Sequence, residues 1–147
     1  MSDTLDDFVQ GLQEQISEEI EEAYGEIAYQ RWLNPLYKGS IKYPDGYACL
    51  RGKCQDTMEI FLKFENDQVK KAKFQTDGCG SSTICGSFAA EMAIGKNPDE
   101  LLEISGKAIL KRLGDFPKEG EHCAFLAAET LHEALNDYMI KSTRKRK

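Results

Sequence analysis

The sequence has little that would direct it to a nucleic acid or a membrane. Acidic residues outnumber basic ones, 25 against 19, so the chain lacks the basic excess with which proteins neutralise phosphates. No stretch reaches the apolar length that a membrane-spanning helix needs. The N-terminus, "MSDTLDDFVQ", lacks the positive and apolar regions of a secretory signal. We therefore expect a cytoplasmic protein whose partners are proteins, metals or small molecules, with no nucleic acid and no membrane among them.

Histidine is also scarce, with only two residues, and the five cysteines are an odd number. In a reducing compartment, thiols are more often ligands, nucleophiles or buried small hydrophobes than disulfides. The cysteines are therefore where the chemistry of this chain should be sought.

The chain of 147 residues has room for one domain, which we expect to span 1–147. Apolar residues at helical spacing predict an amphipathic helix within 1–32, with acidic residues on its solvated face. The end of the chain, 142–147, forms a basic tail. The apolar positions of the first helix are Leu5, Phe8, Val9, Leu12, Ile16, Ile20 and Ile27.

The middle of the chain predicts a small antiparallel meander. The turn signal "YPDG" precedes the short strand "YACLRG", and apolar and polar residues alternate from Met58 to Phe64 before "END" turns the chain into a third strand. From Cys79 onward the period is helical, with one helix capped by Asn97, another closed by Gly114 and a long last helix. Strands followed by a block of helices predict an α+β fold with helices on one face of the sheet.

Three ends of predicted elements carry the candidate functional residues. Cys54 comes just before the strongest strand, Cys79 lies between a strand and a helix, and His122 and Cys123 precede the last helix. Such positions are held by a rigid scaffold yet remain accessible. The N-terminus of a helix also favours a thiolate over a thiol, which would prepare Cys123 to bind a metal or sulfur.

A carboxylate and two glycines accompany these residues. Asp56 lies two residues after Cys54, so both side chains face the same way in an extended segment. The glycines flanking Cys79, Gly78 and Gly80, allow backbone N–H groups to approach an anion such as sulfide. Three thiolates with a carboxylate or an imidazole suit either a tetrahedral zinc site or a two-iron cluster. An oxygen or nitrogen ligand matches cluster iron less well than a thiolate, so we expect it to ease cluster release.

The other two cysteines, Cys49 and Cys85, have no such companions. We interpret them as buried small hydrophobes, the commoner state of an isolated cysteine, with an auxiliary or relay thiol as the alternative. A Cys-His hydrolase is the weakest hypothesis, since neighbours in sequence seldom form the required hydrogen bond and no oxyanion-hole pattern is present.

Four motifs follow one another along the chain: "CQD", "DGCGSS", "GKNPDELLEI" and "HCAFLAAETLHEAL". In this order they resemble the IscU and NifU N-terminal type of iron-sulfur cluster assembly scaffold, over the segment from "WLNP" to "NDYMIK". The resemblance implies a three-stranded antiparallel sheet with helices packed against it. It also implies a scaffold, not an enzyme, that receives sulfur from a cysteine desulfurase together with iron and transfers a transient [2Fe-2S] cluster to apo iron-sulfur acceptor proteins.

Carried over by position, the resemblance implies that Cys54, Cys79 and Cys123 are ligand and sulfur-accepting cysteines. It implies that Asp56 tunes cluster release and can bind metal, that His122 is an alternative ligand, and that zinc can occupy the same site. A zinc-dependent sulfur-transfer protein is the alternative function, although the interval between the second and third cysteines is short for it. The family's Leu-Pro-Pro-Val-Lys segment is replaced by "FPKEGEHC", which puts recognition by an Hsp70-type chaperone in doubt.

Overall fold

Three antiparallel strands form the sheet, in the order β1 (Gly46–Arg51), β2 (Thr57–Glu65) and β3 (Gln68–Thr76). The computed structural model describes residues 25–52, 55–78, 80–114 and 116–145. Residues Asn66 and Asp67 join β2 to β3 with φ of 55° and 62°, the left-handed conformation that tight hairpins require. The predicted meander and its turn are therefore confirmed.

Alternation along β2 decides which face of the sheet is buried. Met58, Ile60 and Leu62 are fully buried, and Ile60 and Leu62 stand opposite Phe74 and Ala72 of β3. Residues between them point to the other face, where the rings of Tyr47 in β1 and its cross-strand neighbour Phe61 in β2 lie 4.9 Å apart with their planes tilted by 47°. The helices therefore have only one apolar face of the sheet to cover.

One helix precedes the strands in the sequence and the others follow them, and two of the later helices cover this apolar face. Their bounds are α1 (25–33), α2 (Gly80–Ala93), α3 (Pro98–Leu102), α4 (Gly106–Leu113) and α5 (Glu121–Lys145), with a 3₁₀ turn at Lys118–Gly120. Helix α5 packs on β1 and β2, α2 packs on β2 and β3, and the two helices contact each other. This arrangement confirms the predicted α+β fold class. Among the helices in the described part of the chain, none has the combination of length and apolar character needed to cross a membrane.

The helix ends agree with the capping signals in the sequence. Asn97 accepts a hydrogen bond from the backbone N–H of Glu100, whose side chain accepts one from the backbone N–H of Asn97. Gly114 ends α4 with φ of 78°. At the end of the chain, α5 continues to Lys145 and so enters the segment 142–147 that we interpreted as a tail.

Most of the predicted first helix lies outside the described residues, including its apolar positions from Leu5 to Ile20. In the described part the helix ends at residue 33, close to the predicted end at Trp32. The prediction that Ile27 belongs to the buried stripe is wrong, since Ile27 is 54% exposed and Ala28 is buried. The buried face is instead set by the side of the helix that carries Ala28 and Arg31.

Arg31 fastens α1 to α2. Its guanidinium donates hydrogen bonds to Ser87 Oγ at 3.0 Å and to Glu91 Oε1 at 2.9 Å, and it lies 4.0 Å from the ring centre of Phe88. Ser87 in turn donates to the carbonyl oxygen of Leu36 at 2.7 Å. The planar, forked guanidinium makes all three contacts of Arg31 at once, which an ammonium cannot do.

Replacing Arg31 by lysine should therefore lower the free energy of unfolding by about 1 to 2 kcal/mol, because the charge remains but the fork and the stacking are lost. Arg112 is the matched control, since it contacts the same Glu91 at 3.4 Å but its side chain is 55% exposed. Arg112→Lys should change stability by less than about 0.5 kcal/mol. Urea unfolding of the two variants measures the difference, and equal losses would contradict this account.

Candidate metal centre

Three element ends meet at one end of the α2–α5 pair. Asp56 stands just before β2, Gly78 follows β3, and His122 and Cys123 lie in the first turn of α5. The 3₁₀ turn that leads into α5 lies directly against the start of α2, since a Cβ atom on Gly120 would be 2.6 Å from Ser81 Oγ. This close approach brings the first turn of α5 beside Asp56.

His122 and Cys123 lie at the start of the last helix, as the sequence indicated, but they stand inside it and not before it, because α5 already begins at Glu121. The 3₁₀ turn at Lys118–Gly120 leads directly into it, so both residues are helical. Neighbouring residues diverge by about 100° around a helix, yet the His122 ring folds back so that its Nε2 lies 3.5 Å from Cys123 Sγ. The cysteine keeps its position beside the positive end of the helix dipole, which favours a thiolate.

One potential ligand atom from each of Asp56, His122 and Cys123 can be chosen so that all three lie within 4.8 Å of one another. The cysteine has no exposed surface, whereas the aspartate and the histidine are partly exposed. Carboxylate oxygen, imidazole nitrogen and thiolate sulfur are the three donor types found in protein zinc sites, and thiolate with imidazole also serves iron. These three residues can therefore supply part of the ligand set of a metal ion or cluster.

Ser82 connects two members of this group, and we had not recognised it from the sequence. Its Oγ donates a hydrogen bond to Asp56 Oδ2 at 2.7 Å and lies 3.3 Å from Cys123 Sγ. The side chain is fully buried. The sequence did carry a signal for it, since Ser82 falls on a helix face otherwise made of apolar or small residues. A hydroxyl buried there needs a hydrogen-bond partner.

Gly78 is needed here because there is no room for a side chain. A Cβ atom at this position would lie 2.6 Å from Ser82 Oγ and 2.7 Å from both Cγ and Oδ2 of Asp56. The backbone at the end of β3 therefore lies directly against the Asp56 carboxylate. This steric requirement differs from the role in anion binding that we predicted for the glycine.

Two of the predicted ligands, Cys54 and Cys79, lie outside the described residues. Their neighbours in sequence do not: Asp56 follows Cys54 by two residues, and Gly78 and Gly80 flank Cys79. The assignment of all five residues as ligands thus stays a prediction, of which the structure brings Asp56, His122 and Cys123 together.

The two remaining cysteines have different surroundings. Cys85 is fully buried in α2, which confirms its interpretation as a buried small residue. The same prediction is wrong for Cys49, which is exposed on the open face of the sheet opposite Glu59. Tyr47, two residues away, donates a hydrogen bond to Glu59 at 2.6 Å, and this bond is the main reason that the pKa of Tyr47 is raised above its usual range. Cys49 therefore belongs to a polar surface.

A cleft with a volume of about 380 Å³ lies against His122. Its apolar part is formed by Phe125 and Leu126, and charged side chains are contributed by Arg51 and Glu129. Phe125 is 42% exposed. The cleft places His122 at the boundary between solvent and the buried sulfur of Cys123.

Known proteins resemble this chain in sequence over most of its length. The family model described as the NifU-like N terminal domain matches residues 23–145. "Iron-sulfur cluster assembly scaffold protein IscU 1" of Archaeoglobus fulgidus is 36% identical over 120 residues, covering 81% of this chain and 78% of that protein. The IscU scaffold protein of Aquifex aeolicus is 36% identical over 124 residues, with coverage of 82% and 79%.

Solved structures agree on the fold. The N-terminal part of a NifU-like protein from Brucella abortus superposes with a TM-score of 0.65 at 20% identity, covering 83% of this chain and 98% of that one. At this level of identity the match concerns the arrangement of the sheet and helices alone. The expected three-stranded sheet with packed helices is thus found both in the chain and in this neighbour.

Proposed function

Since the chain belongs to the family of NifU-like N-terminal domains, we propose that it is a scaffold on which an iron-sulfur cluster is assembled and from which it passes to acceptor proteins. The observation that carries the proposal is the grouping of Asp56, His122 and Cys123, whose potential ligand atoms lie within 4.8 Å of one another. Relatives named as scaffolds at 36% identity support it. The protein acts as a carrier of iron and sulfide and not as an enzyme.

The proposed ligands of a [2Fe-2S] cluster are drawn from Cys54, Asp56, Cys79, His122 and Cys123. Such a cluster takes four protein ligands, and cysteine thiolates are the usual ones. Cys79 is covalently bonded to Gly78, whose backbone lies against Asp56, and Cys54 is two residues from the same carboxylate. Chain connectivity therefore favours a site to which all three cysteines contribute.

The proposed sulfur source is a cysteine desulfurase, and the proposed recipients are apo iron-sulfur proteins. A cytoplasmic location fits, because thiol ligands must stay reduced to accept sulfur and metal. The mixed ligand set serves transfer, since a carboxylate or imidazole holds cluster iron less firmly than a fourth thiolate.

The experiment that tests the proposal measures iron and acid-labile sulfide per chain. The protein is incubated anaerobically with ferrous iron, cysteine and a cysteine desulfurase, and an apo-ferredoxin is then added. We expect iron and sulfide to accumulate in equal amounts and then to move to the ferredoxin. If iron or sulfide failed to accumulate on the chain, the proposal would be contradicted.

The mixed donor set also supports a second candidate, a zinc-dependent sulfur-transfer protein. Oxygen, nitrogen and sulfur ligands from Asp56, His122 and Cys123, with one more thiolate, complete a tetrahedral zinc site. In the same experiment this protein would retain zinc and stimulate the desulfurase without accumulating sulfide. Iron-dependent colour is therefore the observation that separates the two functions.

Asp56→Ala should lengthen the lifetime of an assembled cluster several-fold. The substitution removes the oxygen ligand and leaves softer donors to hold the iron. Asp56→Asn, which keeps the shape and an acceptor oxygen without the charge, should give an intermediate lifetime. The decay of visible absorbance after anaerobic assembly measures all three proteins. Faster decay in Asp56→Ala would mean that the carboxylate supports the structure and does not promote release.

A further inference from the structure

Ser82 is a fully buried hydroxyl between two of the proposed ligands. Its hydroxyl donates a hydrogen bond to Asp56 Oδ2 at 2.7 Å, and the same oxygen lies 3.3 Å from Cys123 Sγ, a contact in which either atom can be the donor. The serine belongs to the first turn of α2, a helix buried among β2, β3, α4 and α5. Its position is therefore set by the core and not by the site.

Asp56 has two carboxylate oxygens, and this contact engages one of them. Gly78 lies against the same oxygen, since a Cβ atom on Gly78 would be 2.7 Å from Oδ2 and 2.6 Å from Ser82 Oγ. A metal ion that took both oxygens would compete with the Ser82 hydroxyl for Oδ2. The carboxylate is thus held in one orientation, next to Cys123 and His122.

We propose that Ser82 is a positioning residue that holds Asp56 so that the carboxylate binds metal through one oxygen only. The proposal rests on the proposed function, since it assumes that Asp56 and Cys123 bind a metal. Ser82 itself is not a ligand here and acts through Asp56. Partners of this kind, which orient a ligand by a hydrogen bond, commonly contribute about 10- to 100-fold to metal affinity.

The test measures the affinity of the full chain for Zn²⁺, by competition with a chromophoric chelator, and the absorption of the Co²⁺ form. Ser82→Ala should bind Zn²⁺ about 10- to 100-fold more weakly than the unsubstituted chain. Its Co²⁺ form should lose intensity in the visible d–d bands, because a released carboxylate can bind through both oxygens and raise the coordination number above four.

Ser87→Ala is the matched control, because Ser87 is a second fully buried serine of α2. Its partners are Arg31 and the carbonyl oxygen of Leu36, neither of which belongs to the proposed site. This variant should lose stability but keep its Zn²⁺ affinity within about twofold, whereas a merely structural role for Ser82 predicts that the two variants behave alike. Circular dichroism establishes that each variant is folded.

A double-mutant cycle with Asp56→Ala shows whether Ser82 acts through the carboxylate. In the Asp56→Ala background, Ser82→Ala should have no further effect on affinity. An unchanged affinity in the single variant, or an equal loss in both backgrounds, would overturn the positioning role while leaving the metal site intact. If the unsubstituted chain bound neither Zn²⁺ nor Co²⁺, the proposed function would fail as well, so the two failures are distinguishable.

Discussion

Cys123→Ser should leave the protein folded but unable to retain zinc or an iron-sulfur cluster. Serine fills nearly the same volume and can still meet the Ser82 hydroxyl, which lies 3.3 Å from the sulfur. Its hydroxyl, however, stays protonated near neutral pH and is a hard donor, whereas zinc and cluster iron need the thiolate. We expect metal bound per chain to fall at least tenfold.

Metal analysis after anaerobic loading and desalting measures this loss, and Cys49→Ser provides the control. Cys49 is exposed on the open face of the sheet and does not belong to the group formed by Asp56, His122 and Cys123. Its replacement should leave metal content unchanged. Full metal content in Cys123→Ser would remove this sulfur from the site.

The largest expected effect on stability is that of Gly46→Ala. A Cβ atom at Gly46, in the first position of β1, would lie 2.4 Å from the backbone carbonyl oxygen of Ala134 and 3.1 Å from Cβ of Tyr138. The backbone of α5 cannot yield locally, so the strand and the helix must separate. Overpacking of this kind costs about 1 to 3 kcal/mol, occasionally more. Urea unfolding of the variant measures the loss.

Gly106→Ala is the same chemical change with the same nearest distance of 2.4 Å, here to Cδ1 of Phe125. The clashing atom belongs to a rotatable ring that is 42% exposed and can turn toward solvent. Alanine is also the better helix former in the first turn of α4. We therefore expect Gly106→Ala to change stability by less than about 1 kcal/mol. Equal losses in the two variants would show that the identity of the clashing atom does not matter.

The strands could be predicted from the sequence because their signal is local. Met58, Ile60 and Leu62 alternate with polar residues, and this period alone assigns one face of β2 to the core. In β1 the run from Tyr47 to Leu50 contains no polar residue, so its pattern names no inward face. Which side of β1 faces the core is decided by its register with β2, in which Cys49 lies opposite Glu59. That register cannot be read from β1 alone.

The start of α5 was misplaced for a related reason. No serine, threonine, aspartate or asparagine stands before His122 to mark a helix N-terminus, since the segment reads "KEGEHC". The 3₁₀ turn carries the chain into the helix without such a cap. The types and spacing of Asp56, His122 and Cys123 nevertheless sufficed to predict that they come together, because each stands at the end of an element.

Ser82 lay beyond what the sequence could show. Its role depends on contacts with residues 26 and 41 positions away in the chain, and no local period reports such distances. A serine near a helix start is ordinary in itself. Only the fold places this hydroxyl between a carboxylate and a sulfur.

Cys123 presents no surface to solvent, so a metal ion or sulfur donor that arrives by diffusion cannot touch it directly. The contacts with Ser82 and His122 must first part, which requires the first turn of α5 to move locally. We therefore expect the rate of metal loading to be limited by the opening of this turn wherever that opening is slower than diffusional encounter.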